Sequence, residues 1–315
     1  MQQVNFSNNL QNKYSFKQKR QDEKERSRRE DILLSSLATS LICYTDNKLA
    51  TNVPNSFTKS MLRKMKEIIK KISPSDLKKF EEDFDKSFKN LKLQDCGVSV
   101  FKCNDLLKDI DRIKEHLKKR NILESSIEFY SQVVSEYMKN NNSCYTLFGK
   151  TIYTSKDTRL SLFHEMGHAY NHNKTVFAKF LQKYRYLHMK IPIPVSIAAI
   201  LLPDFARYRT KQNNDINSKE SAFDKLVKCE HCFIKASPLI VFASFLPMIV
   251  EEGLASLQGQ KFAKKVLNKD MLKKVKRTNL LGFYSYLFLG TFVASILWAS
   301  LKIKNIIQDK LLNKT

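Results

Sequence analysis

Residues 161–170 read SLFHEMGHAY and place two histidines, His164 and His168, four positions apart, with Glu165 directly after the first. On an α-helix, positions i and i+4 differ by only about 40° in azimuth, so both imidazoles can reach one ion. A glutamate at i+1 projects about 100° away, beside the ion, where it can take a proton from a water molecule. The spacing therefore predicts a helix that carries a zinc site with Glu165 as general base, and the alternative is a helix with two core or surface histidines that bind no metal.

The other positions of this stretch predict a helix anchored in the core. Its apolar residues cluster on the face opposite the histidines: Leu162, Phe163, Met166, Ala169 and Tyr170. Gly167 leaves room for a neighbouring element to approach. Upstream, residues 144–155 (CYTLFGKTIYTS) carry β-branched and aromatic residues around Gly149, which favours a short hairpin or edge strand. Ser155 or Asp157 is then placed to cap the helix, and an extended substrate could add to the strand near 151–154.

The third metal ligand has to come from elsewhere in the chain. A second HExxH class adds a glycine and a histidine three and six residues after the motif, but this chain has Asn171 and Lys174 there. The later stretch MIVEEGLASL, residues 248–257, offers Glu251 and Glu252 at the end of an apolar run. Carboxylates in such a setting are costly unless they are paired or bind a metal.

Glu252 is the favoured ligand of this pair because of what lies one helical turn later. Ser256 follows Glu252 on the same face and can hydrogen-bond a ligating group, whereas the position equivalent for Glu251 is Ala255. His172, one turn beyond His168, is a second candidate for such a supporting role, with a polar helix-end histidine as the alternative. Three protein ligands leave a fourth position for water, which is typical of catalytic zinc.

The two motifs, HEMGHA and EGLAS, resemble those of gluzincin metallopeptidases, whose third ligand is a glutamate on a later helix. The membrane-bound HtpX and CAAX prenyl protease type and the bacterial neutral zinc metallopeptidase type are the most similar branches. The resemblance covers about residues 145–300 and implies Zn²⁺ on His164, His168 and Glu252, a polypeptide substrate, and Glu165 as general base. Ser256 stands where many relatives have Asp, and the Glu251-Glu252 pair also departs from the pattern.

The predicted fold is mainly α with a small β-hairpin or sheet, and a zincin-like core built on the HExxH helix and a later Glu-bearing helix. We divide the chain into a basic disordered arm (1–30), an N-terminal helical region (31–140), a metallopeptidase core (141–278), a hydrophobic helix (279–302) and a basic tail (303–315). Within the second region, the run Ile32–Tyr44 is interpreted as a buried helix rather than a secretory signal. The remainder predicts an αα-hairpin broken at 73–76, then two helices over 105–140.

Three uncharged stretches suggest membrane association. Residues 191–203 and 236–250 are short for a span, whereas residues 279–301 carry no charge and are long enough to cross a bilayer. Eight Lys and Arg against one Asp in residues 261–278 place that side in the cytoplasm if the segment spans. The alternative is a fully buried helix, because the mean hydropathy of −0.39 is that of a soluble protein.

The formal net charge of +24 indicates attraction to anionic lipid or nucleic acid, or only a Lys-rich composition. No basic platform interleaved with aromatic residues supports specific nucleic-acid binding. The six cysteines are widely spread and predict no disulfide framework, and Cys229 with Cys232 lacks two further ligands at zinc-finger spacing. The leading hypothesis is a membrane-associated zinc endopeptidase; the alternatives are an inactive zincin-like scaffold and a basic nucleic-acid-binding protein.

Overall fold

The computed structural model describes residues 52–103, 106–139, 143–213 and 222–312. The described chain is mainly helical with a small three-stranded sheet, which confirms the coarse fold class. The predicted basic arm (1–30) and the predicted helix Ile32–Tyr44 lie outside the described residues. The division into five regions stays a prediction.

The first described elements form the predicted αα-hairpin. Helix α1 covers residues 52–70 and helix α2 covers Pro74–Asn90. The hydroxyl of Ser73 accepts a hydrogen bond of 3.1 Å from the Asp76 N–H and so caps α2, whose first residue is proline. One face of α2 is buried through three aromatic residues at helical spacing, Phe80, Phe84 and Phe88.

A mixed sheet follows, with the strand order β1-β3-β2. Its elements are β1 (Ser99–Cys103), α3 (Leu106–Lys119), α4 (Glu124–Lys139), β2 (Cys144–Thr146) and β3 (Thr151–Ser155). The predicted hairpin is β2 with β3, which pair antiparallel, and the two helices expected over 105–140 are α3 and α4. Strand β1 pairs in parallel with β3, and α3 and α4 form the crossover between them.

The alternation of side chains along the strands buries both faces of the sheet. Ile152 belongs to a core formed with α2 and the helix after β3, whereas Tyr153 packs with the apolar residues of α3 and α4. The turn between β2 and β3 contains Gly149 at φ 67°, a conformation that glycine adopts without strain. Strand β3 is hydrogen-bonded on both edges, so the expectation that 151–154 adds a substrate strand is wrong: β2 is an outer strand instead.

The HEMGH residues lie on helix α5 (Leu162–Lys174), as predicted. The expected cap is displaced, because a 3-10 segment, Lys156–Ser161, separates β3 from α5. Ser155 forms a capping box with Thr158 at the start of that segment, and Ser161 occupies the N-cap position of α5 without a side-chain bond.

Five further helices complete the described chain. They are α6 (Val176–Tyr184), α7 (Leu187–Lys190), α8 (Pro192–Asn213), α9 (Ala222–Val266) and α10 (Lys269–Leu312). The residues described group into two compact units, one of 52–193 with 239–294 and the other of 194–213 with 222–238 and 295–312.

Among the residues that the structure describes, two helices are long and apolar enough to cross a membrane, Cys232–Val266 within α9 and Lys269–Ile307 within α10. The second contains the predicted segment 279–301. The first contains residues 236–250, which the sequence indicated as marginal for a span; in the structure they are part of a longer apolar helix. Residues 176–190 and 192–202 form two helical stretches with a bend of 42° between them. Only together are they long and apolar enough to cross a membrane.

Candidate metal centre

Helices α5 and α9 approach one another closely because each presents a glycine at the contact. A Cβ atom on Gly167 of α5 would lie 2.1 Å from the backbone oxygen of Ala255. A Cβ atom on Gly259 of α9 would lie 2.2 Å from the backbone oxygen of Phe163. No side chain larger than hydrogen fits at such distances, so this pair of glycines brings the HEMGH and EGLAS residues together.

The crossing brings His164, His168 and Glu252 into one cluster. The Nε2 atoms of the two histidines are 3.0 Å apart, and Oε2 of Glu252 lies 3.1 Å from His164 Nε2 and 3.3 Å from His168 Nε2. Among the residues described, this is the group of histidine, cysteine or acidic side chains whose ligand atoms converge closely enough to hold a metal ion. The three residues are those that the sequence analysis selected as ligands.

The other ring nitrogen of each histidine is held by a separate partner. His168 Nδ1 lies 2.6 Å from Oε1 of Glu251, and His164 Nδ1 lies 3.0 Å from the Ser256 hydroxyl. A carboxylate only accepts, so the contact with Glu251 favours a proton on His168 Nδ1, which would leave the Nε2 lone pair available to a metal ion. With the same tautomer at His164, two nitrogen lone pairs and a carboxylate oxygen would form a set of ligands for one cation.

The dimensions of the cluster fit zinc. Tetrahedral zinc with bonds of about 2.0–2.1 Å to nitrogen and oxygen separates neighbouring ligand atoms by about 3.3 Å. The observed separations of 3.0, 3.1 and 3.3 Å are close to that value. Two imidazoles and one carboxylate are also a donor set that zinc accepts, and the carboxylate and hydroxyl on the outer nitrogens are the supporting partners that orient such ligands.

Arg185 and Gln182 complete the surroundings of the two glutamates. Arg185 follows directly after α6 and forms ion pairs of 3.2 Å with Oε2 of Glu251 and 2.9 Å with Oε1 of Glu252. The side-chain amide of Gln182, on α6, donates to Oε1 of Glu251 at 3.0 Å. Both carboxylates are almost fully buried, at 0% and 2% exposed, and these partners offset the cost of removing them from water.

Glu165 lies on the same helix as the histidines and is 5% exposed. Burial raises the pKa of its carboxyl group, while His164, His168 and a hydrogen bond from the Tyr145 backbone N–H act in the opposite direction. That N–H belongs to the outer strand β2, so the sheet holds the carboxylate beside the cluster. A carboxylate with a raised pKa is a stronger base than an exposed one.

His172 and the cysteine pair, which were both considered from the sequence, do not belong to the cluster. The ring of His172 contacts Tyr145, with 3.0 Å between Nδ1 and the phenol oxygen, rather than either ligand histidine. Cys229 and Cys232 are free and exposed on α9, and the candidate metal-binding group in the described chain contains no cysteine.

Sequence reasoning did not single out Arg185, Gln182 or Tyr145. Gln182, on α6, and Arg185, directly after it, reach the glutamates of α9 through a side-chain hydrogen bond and ion pairs, and no short motif in the sequence links them. Tyr145 acts through its backbone N–H, which any residue except proline supplies. The adjacent Glu251-Glu252 pair was one signal in the sequence for a cationic partner such as Arg185, because two buried carboxylates are costly without a cation.

Comparison of this chain with protein-family models, with curated proteins and with solved structures finds no match in any of the three.

Proposed function

We propose that this protein is a membrane-associated zinc metalloendopeptidase of the gluzincin type, with a zincin-like core formed by α5, α9 and the sheet. The observation that carries the proposal is the convergence of His164 Nε2, His168 Nε2 and Glu252 Oε2 within 3.0–3.3 Å of one another. Glu165, the residue next to the first ligand, supplies the base that peptide hydrolysis requires.

His164, His168 and Glu252 would hold the ion. A zinc ion bound there supplies a Lewis acid that polarises the scissile carbonyl and lowers the pKa of water. Glu165 takes a proton from the attacking water on its carboxylate and delivers it to the nitrogen of the leaving amine. Burial favours the protonated form of Glu165 between these two transfers.

Strand β2 is the part of the sheet that we assign to substrate binding. It pairs with β3 on one side and carries, at Tyr145, the N–H that holds Glu165. A peptide that adds along its outer edge in extended form would lie next to the base and the metal ligands. This assignment replaces the earlier expectation for residues 151–154.

The glutamates also support a site at or within the membrane. Glu251 and Glu252 lie on the apolar helix Cys232–Val266, and ionisable residues inside such helices are rare unless they have a function. We place the basic residues 261–278 on the cytoplasmic side, following the excess of Lys and Arg.

Cleavage of labelled casein by the detergent-purified protein tests the proposal. Glu165→Gln should lower the rate by about 10²–10⁴-fold and leave the zinc content at one ion per chain, because it removes the base and no ligand. Glu124→Gln, at an exposed glutamate of α4 paired with Lys118, is the matched control and should cleave at the wild-type rate. A wild-type protein that holds zinc but cleaves nothing would instead identify an inactive scaffold.

A further inference from the structure

Helix α6 carries an apolar face that points away from the protein. On its inner face, Ala178, Leu181 and Gln182 are buried, with 2%, 7% and 2% of their surfaces exposed. On the opposite side, Phe177 and Phe180 are 61% and 55% exposed. The same character continues beyond α6, where the exposed apolar residues are Tyr186, Met189 and Ile193. We call α6 together with these following residues, 176–193, the apolar ridge.

The charges around the apolar ridge have one sign. Residues 166–203 contain no Asp or Glu, and the cations among them are Lys174, Lys179, Lys183, Arg185 and Lys190. The four lysines are exposed, whereas Arg185 is directed to the glutamates of the metal centre. On the helical wheel, Lys179 and Lys183 flank one side of the Phe177 and Phe180 face. An apolar face bordered by lysines and aromatic rings is typical of helices that lie in the interface of an anionic membrane.

Helix α6 alone is too short to span a bilayer, and it meets the length and hydropathy test only together with residues 192–202, beyond a bend of 42°. Its nine residues extend about 13 Å, against about 30 Å of bilayer hydrocarbon. A lysine at the centre of a bilayer is costly, whereas at the surface its ammonium group reaches the lipid phosphates.

Protein occupants of this face are disfavoured by charge. A second copy of the chain would bring another net charge of +24 against the lysines. The chain's own residues 1–30 hold eight Lys and Arg against four Asp and Glu, so they are also basic. Anionic lipid headgroups have the opposite sign, and α9 and α10 supply helices long enough to hold the protein in the same bilayer.

We propose that the apolar ridge lies in the interface of an anionic lipid bilayer, with Phe177 and Phe180 at the boundary of headgroups and acyl chains and with Lys179 and Lys183 on the phosphates. The inner face of α6 contacts Glu251 through Gln182. The ridge therefore places the candidate metal centre within about one helix diameter, roughly 10–12 Å, of the lipid surface. The lipid assignment does not depend on catalysis or on bound zinc.

Tryptophan quenching in reconstituted vesicles tests this placement. The full chain is inserted into vesicles of phosphatidylcholine and phosphatidylglycerol, with acyl chains brominated near the headgroup, and Trp298→Phe removes the native fluorophore. Phe180→Trp then reports on the ridge, with Phe177→Trp as a second reporter. Phe129→Trp is the matched control, because Phe129 is 63% exposed on α4 among acidic residues.

The proposal predicts that the brominated lipid quenches the emission of Phe180→Trp by about half and leaves that of Phe129→Trp unchanged. Adding Lys179→Glu and Lys183→Glu should reduce the quenching, because the headgroups then repel the helix. Equal quenching at the two positions, or none at Phe177→Trp and Phe180→Trp, would overturn it. A blue-shifted emission without quenching would identify a protein occupant and would also overturn it.

Discussion

At the residue scale, the two neighbouring glutamates have different roles. Glu252 directs one oxygen to both histidine Nε2 atoms and the other to Arg185, whereas Glu251 holds the outer nitrogen of His168. In the sequence, Ser256 favours Glu252 as the ligand because it follows Glu252 by one turn, and its hydroxyl does contact His164. The role of Glu251 was not anticipated, because it depends on the position of His168 Nδ1 in the assembled centre.

Glu251→Gln should therefore weaken zinc binding without abolishing it. The amide oxygen can still accept from His168 Nδ1, but the negative charge that makes the imidazole a better ligand is lost. We expect the dissociation constant for zinc, measured by competition with a chromophoric chelator, to rise about 10–100-fold.

Glu252→Gln is the matched comparison, because it removes a ligand and should leave no stoichiometric zinc in the same assay. The opposite order, with Glu252→Gln nearly harmless and Glu251→Gln devoid of zinc, would reverse the assignment of the two carboxylates.

At the scale of elements, local signals predicted most helices and the hairpin, whereas non-local contacts were missed. The cap at Ser73 and the turn at Gly149 are encoded within a few residues. Strand β1 has five residues, and its partner β3 lies about fifty positions later, with Ser99 opposite Thr151. Nothing local specifies such a parallel pair. Gly167 was recognised from the sequence as a point of close approach. Its counterpart Gly259 was missed, because the contact between the two helices is non-local.

The crossing of α5 and α9 predicts a large effect of adding one methyl group. Gly167→Ala and Gly259→Ala should each destabilise the protein by about 1–3 kcal/mol or more, because the new Cβ would overlap a backbone oxygen at 2.1 or 2.2 Å. Thermal unfolding in detergent measures the change, and both variants should also lose zinc affinity.

Gly282→Ala is the control for this experiment. Its Cβ would meet Met65 Cε at 3.6 Å, an ordinary contact, so the variant should be as stable as the wild type or slightly more stable. If all three variants unfold at the wild-type temperature, the helices do not cross at the glycines.

At the scale of the whole molecule, membrane association would explain both the positive charge and the apolar helices. Composition alone left the choice between lipid and nucleic acid open, because a net charge does not identify its partner. The segment 236–250 was judged marginal for a span because its boundaries were set by the nearest charges. The helix continues past Glu251 and Glu252, which form ion pairs with Arg185 and contact the two histidines.

Extraction of cell membranes tests whether the helices are inserted. The protein should stay in the membrane pellet after treatment with alkaline carbonate and be released by detergent, because Cys232–Val266 and Lys269–Ile307 are each long enough to cross the bilayer. Release by carbonate or by high salt alone would show that the protein is bound at the surface and that neither helix spans.

Zinc K-edge X-ray absorption of the purified protein tests the central claim most directly. The account predicts one zinc per chain with nitrogen and oxygen neighbours at about 2.0–2.1 Å, two of them with the multiple scattering of imidazole. It also predicts that His164→Ala and His168→Ala each abolish the signal. A protein without zinc, a sulfur neighbour at about 2.3 Å, or a spectrum unchanged in both histidine variants would contradict it.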